Sequence, residues 1–178
     1  MEKPVAAVRP VRRIVTGEND QGRSIILSDG PTQHITKTPF GLVAQVPWLT
    51  GAAAHEGSEP APEGHSIGFH SDGGTVLRIV DFPPDDHYDQ DAMKSFLDAN
   101  KVRDKNNPRH FWFHKTHSLD YAIVLEGEIV AMLDETETVM KQGDVLIQRA
   151  TNHSWKNASD KVCRMAFVLV ALAEGEAC

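Results

Sequence analysis

Cysteine is nearly absent: Cys163, inside an apolar run, and Cys178, at the C-terminus, are the only two. Thiols so placed build neither a disulfide framework nor a cysteine-rich zinc site within one chain, so a reducing, cytoplasmic setting is expected. Positive charge is also short, 18 Lys and Arg against 25 Asp and Glu, and the formal net charge of -7 gives no field for attracting a phosphate backbone. Nucleic acid is therefore excluded as a partner. No stretch approaches the ~20 apolar residues of a spanning helix, and MEKPVAAVRPVRRIV lacks the continuous apolar run of a secretory leader, so no membrane partner is expected. Internal repeats and heptads are missing. GTVLRIV, lacking the lysine and the following helix, is no phosphate-binding loop.

What the chain does have is dense turn punctuation, with SDGP, FPPDD, NNPR, LDETE, KQGD and NASDK among its breakers. Between them lie runs rich in β-branched and aromatic residues, at 12–16, 24–28, 40–50, 75–82, 119–133, 144–149 and 162–172. Seven strands at such spacing predict an antiparallel all-β domain. Only 87–102, with Met93, Phe96 and Leu97 at helical spacing and Asp89 or Asp91 as N-cap, predicts a helix. Residues 51–74, rich in Gly, Ala, Pro and Glu, read as a long surface loop. The length fits one domain, 1–178.

Two stretches could carry chemistry. In FWFHKTHSLDYAIVLEGEI, extended backbone alternates faces and puts His114, Thr116, Asp120, Ala122 and Val124 on one side and His117 on the other, unless a bulge near Ser118 exchanges them. In GDVLIQRATNHSWKN, alternation places His153, Trp155 and Asn157 together. Two facing barrel strands could bring His114, Asp120 and His153 into one cavity, a competent ligand set for a first-row divalent metal. His110, at the parity of His114, is a reserve ligand.

These residues resemble the cupin superfamily, small β-barrels with the motifs G(X)5HXH(X)3,4E(X)6G and G(X)5PXG(X)2H(X)3N. The first motif falls on His114, Thr116, Asp120 and Gly127, the second on Gly143, His153 and Asn157 with one residue fewer after Gly143. The resemblance covers 108–170. It implies a cupin double-stranded β-helix, or jelly-roll barrel, with its core at 108–172 and additional N-terminal strands, the loop and one short helix in 1–107. Thr116 stands where the family has a second histidine, and Asp120 where it has glutamate, so the family's ligand set does not transfer whole.

The expected activity is that of a small-molecule enzyme for an organic acid or carbonyl metabolite. Its lyase or isomerase chemistry (dehydration, decarboxylation or isomerisation) would use His114, Asp120 and His153 with a divalent zinc, iron, manganese or nickel ion whose identity stays open. Trp155, Arg78, Trp48 and Gln148 are the candidates for contacting substrate: the aromatics as walls, and Arg78, alone among apolar strand residues, as partner of a carboxylate. An iron-dependent dioxygenase and a non-catalytic binding module are the alternatives. Extra N-terminal strands add edges, which predicts a homodimer.

Overall fold

The computed structural model describes residues 8–51 and 73–173. Eleven strands are present: β1 Arg12–Glu18, β2 Ser24–Pro31, β3 Ile35–Lys37, β4 Val43–Leu49, β5 Thr75–Phe82, β6 Ser118–Glu126, β7 Glu128–Leu133, β8 Glu137–Lys141, β9 Val145–Arg149, β10 His153–Lys156 and β11 Cys163–Ala171. The one α-helix among the described residues is α1, Gln90–Ala99, and a 3-10 turn covers Asp85–His87. Asp89 caps α1, its side chain accepting from the Ala92 amide, and Met93 and Leu97 are the helix's buried residues. Among the described residues no helix is long and apolar enough to cross a membrane.

The strands form a six-stranded antiparallel sheet, β3-β4-β5-β11-β6-β9, a three-stranded sheet, β10-β7-β8, and a separate β1-β2 hairpin. Alternation explains which side chains the large sheet turns inward. On β6, Asp120, Ala122 and Val124 are buried while Tyr121 and Leu125 are exposed. Opposite them on β11 stand Leu169, Phe167 and Met165, and beyond these, on β5, Val76, Arg78 and Val80. The three-stranded sheet contributes Ile129, Ala131, Met140 and Trp155 to the same apolar core. Trp155 closes the gap between the sheets, its indole 5.5 Å from the Phe167 ring in an edge-on contact. The architecture is the expected all-β jelly roll.

Three details differ from the sequence reading. The run 119–133 is two strands, because Gly127 at φ +81° turns the chain, and an added Cβ there would approach the Val162 carbonyl to 3.1 Å. β3 and β8 are too short or too polar to show as apolar runs. β10 is four residues long and owes its strand geometry to pairing with β7.

Candidate functional site

The site grows from a two-way backbone bridge. The His114 amide donates to the His153 carbonyl at 2.9 Å, and the His153 amide donates back at 3.0 Å. This pins the segment before β6 to the start of β10 and sets the two imidazoles side by side, ring centroids 4.3 Å apart. Both residues are 4% exposed.

Each ring is oriented by a backbone carbonyl two residues earlier. His114 Nδ1 lies 2.8 Å from the Trp112 oxygen, and His153 Nδ1 lies 2.9 Å from the Thr151 oxygen. A carbonyl only accepts, so Nδ1 must carry the hydrogen in both rings. The neutral imidazole then keeps its lone pair on Nε2. Both rings are neutral at physiological pH. Burial pushes His153 down to about 4, and burial, helped by repulsion from His153 and from Arg78, pushes His114 well below the usual histidine value. Trp112 stands edge-on to His114 at 5.6 Å and Trp155 edge-on to His153 at 5.8 Å.

From the large sheet comes the charged half. Arg78 shares the inward face of β5 with Val76 and Val80 and is half-buried there. Burial lowers its guanidinium to about 10, and the nearby Asp120 carboxylate opposes that shift. Asp120, diagonally across β11 from Arg78, is 4% exposed. Ser118 donates to Thr116 at 3.1 Å, and the Thr116 hydroxyl points at Asp120 Oδ2 from 3.5 Å. The buried carboxylate and the half-buried guanidinium offset part of each other's desolvation.

The parity expected for His114, Thr116 and Asp120 holds: all three are buried, His117 is exposed, and no bulge interrupts β6 at Ser118. Trp155 packs on His153 as a wall. Trp48 does not reach the cavity. A bulge between Gln45 and Trp48 moves Leu49 to the inward face, and Trp48 pairs with Leu77 on the outward one. Gln148 lies inside, directly across from Asp120, but its amide donates to Thr151 and not toward open space. His110, the reserve ligand, is turned elsewhere: Nδ1 meets the Ser154 hydroxyl at 2.6 Å and Nε2 meets Asp85 at 3.0 Å, tying the 3-10 turn to β10. Asn157 donates to the Phe82 and Lys161 carbonyls and shapes a loop. His55, His65 and His70 lie outside the described residues. Sequence reasoning missed Trp112, although its parity with His114 carried the signal.

The Cupin domain family matches residues 104–170. The cupin-domain-containing oxidoreductase fogC of Aspergillus ruber is 30% identical over 178 residues, covering 95% of this chain and 76% of that protein. The chain belongs to the cupin superfamily. A second cupin-domain-containing oxidoreductase, srdD of Neurospora crassa, is 28% identical over 88% of this chain and 71% of its own. Phomopsin biosynthesis cluster protein D of Diaporthe leptostromiformis is 39% identical over 57% of this chain and 42% of its own. The cupin domain of Schizosaccharomyces pombe Cnp3 aligns with a TM-score of 0.47 at 12% identity, over 90% of this chain and 88% of that one.

A cupin implies a metal, and the donor set allows a direct test of fit. The two imidazoles suit one: each donates Nδ1–H to a carbonyl and keeps Nε2 as a ligand atom. The third donor is not delivered. Among the described residues no group of three or more His, Cys, Asp or Glu side chains could hold a metal ion. The expected His114, Asp120 and His153 triad is therefore not assembled. Asp120, one methylene shorter than the family's glutamate, faces Arg78 and Thr116 instead, and Thr116 offers a hydroxyl where an imidazole would stand.

Proposed function

We propose that this cupin is an enzyme that removes a proton from a small organic acid or carbonyl compound, with Arg78 holding the substrate's anionic oxygen and the His114–His153 pair taking the proton. The observation that carries the reading is the pair itself, two buried neutral imidazoles with Nδ1–H committed to backbone carbonyls. Neutral imidazole at physiological pH is the base form, and a base with its tautomer fixed in advance loses nothing to reorientation.

The steps follow from the residues. A carboxylate or carbonyl oxygen accepts hydrogen bonds from the guanidinium, whose charge is strengthened by its apolar surroundings. The carbon next to that carbonyl gives its proton to Nε2, and the electron pair moves onto the oxygen facing Arg78. The imidazolium then returns the proton to the far carbon of a double bond conjugated with the enolate, which is isomerisation, or to a hydroxyl departing from the adjacent carbon, which is dehydration. Asp120 supports the cationic state of Arg78 and, through it, the enolate. Trp112 and Trp155 wall off the two imidazoles from water. Lyase or isomerase chemistry is what these groups supply unaided.

Incubation in deuterium oxide with a panel of small 2-oxo, 3-oxo and 3-hydroxy acids tests this. Wild type is expected to place deuterium beside the carbonyl of at least one of them, and His153→Ala and Arg78→Met to lose that exchange. Absence of exchange throughout the panel would count against proton abstraction.

A second reading, oxidation of the same class of compound, is favoured by the relatives named cupin-domain-containing oxidoreductases. It needs an electron acceptor such as dioxygen with a redox metal. Oxygen uptake that follows substrate loss one for one would select it. Saturable binding without any turnover would leave a binding module.

A further inference from the structure

Gln148 stands with its side chain inside the barrel at 2% exposure, opposite the site's carboxylate. A free amide there would read as a substrate contact. Its Nε2, however, donates to the Thr151 carbonyl at 3.0 Å and also meets the Thr151 hydroxyl. The same carbonyl accepts from His153 Nδ1 at 2.9 Å. We propose that Gln148 is a positioning residue, which holds His153 in the Nδ1–H tautomer by fixing the Thr151 carbonyl.

The loop explains why such a fixture is needed. Between β9 and β10 the chain turns through Ala150 in the left-handed region, φ +47°, and Thr151 itself is exposed. One side of the turn is held by Asn152, whose amide donates to Asp104 at 2.8 Å and to Asp134 at 2.7 Å. The Thr151 peptide plane could still rotate about its own backbone bonds. Gln148 occupies one lone pair of the carbonyl and leaves the other for the imidazole, so the oxygen is aimed at Nδ1 before the ring arrives. The residue must be a donor. Glutamate of the same shape would set a carboxylate against the carbonyl oxygen, and methionine would offer nothing.

His114 is held by a different carbonyl, that of Trp112, which Gln148 does not touch. It is an internal control within one molecule.

The value of the arrangement to turnover rests on the proton-abstraction reading, but the tautomer is measurable without substrate. Nitrogen-15 NMR of histidine-labelled protein at pH 7.5 distinguishes Nδ1–H from Nε2–H through two-bond couplings to the ring carbons. Wild type is expected to show Nδ1–H for both rings. In Gln148→Glu and Gln148→Met the Nε2–H population of His153 is expected to rise about five-fold, the loss of one ordinary hydrogen bond, with His114 unchanged. An Nε2–H ring at His153 in wild type overturns the proposal before any variant is made. So does an unaltered His153 tautomer in both variants, and so does a parallel change in both rings. A positive NMR result with no deuterium exchange by wild type would leave Gln148 in place and remove the catalytic reading, so the two failures are separable.

Discussion

His114 and His153, thirty-nine positions apart, exchange both backbone hydrogen bonds, so each ring's position is set by the other's main chain. Loss of either imidazole should therefore remove the base while the bridge survives. His153→Ala and His114→Ala are each expected to lower turnover by about 10²- to 10⁴-fold, the usual worth of a positioned general base. The double variant should lose little more than either single one, because the two rings act as a unit. Steady-state kinetics with circular dichroism on the same samples checks this; loss of native spectra together with activity would assign the pair to folding alone.

The depressed histidines make stability depend on pH in a defined direction. His153 titrates near 4 in the folded chain and near 6.5 when unfolded, so between these values the unfolded state binds more protons. The stabilisation is complete above about pH 6.5 and is lost as pH falls toward about 4. For this one group the loss amounts to roughly 3 kcal/mol, and His114, shifted the same way, adds to it. Urea unfolding at intervals from pH 7.5 to pH 4 should show the wild type losing stability faster than His153→Gln. Parallel curves would mean that the rings are not desolvated.

Buried Asp120 lies close enough to half-buried Arg78 to act on its charge, which predicts an asymmetry among variants. Arg78→Met leaves a carboxylate in an apolar barrel and should cost about 3 kcal/mol or more, whereas Arg78→Met with Asp120→Asn should recover much of it. If Arg78 also binds the substrate's oxygen, the double variant will fold and still show a KM raised by about 10- to 100-fold for an acidic substrate. Thermal melts and kinetics on the three proteins decide between a purely structural pair and a binding one.

The parts of this site that follow a period were legible in the sequence. Alternation put His114, Thr116 and Asp120 on one face, and all three are buried although residues 115–117 lie outside β6. Trp48, expected as a wall for substrate, lies on the outward face, since a bulge in β4 exchanges the faces and no residue type marks it. Side-chain hydrogen bonds set by turn closure were not legible at all. Nothing local in QRATN shows that Gln148 donates to Thr151, or in PRHF that His110 bridges Ser154 and Asp85, because such bonds depend on how a turn closes in space. The surroundings of Asp120 were hidden for a related reason: spacing told which residues share a face, but not that Asp120 would face a guanidinium from a strand some forty residues earlier.

Two apolar surfaces on one chain bear on assembly. The β1-β2 hairpin joins neither of the other sheets and exposes Ile14, Ile26 and Leu27, each at half or more of its surface. A lone two-stranded hairpin is marginal in water and gains stability by packing on another surface. At one edge of the large sheet, β9 is paired on one side only, with β6, and its outward Val145 and Ile147 lie beside Tyr121, all exposed. An uncovered edge of this kind invites pairing with a second copy. The expected state is a homodimer at micromolar concentration, with Leu27→Asp and Ile147→Asp each shifting it to monomer in sedimentation equilibrium. Mixing the two variants should restore part of the dimer if a hairpin of one copy packs on the β6-β9 face of the other, because one intact contact remains in the mixed pair. A monomeric wild type refutes the assembly, and an Ile147→Asp variant that stays fully dimeric removes β9 from the interface.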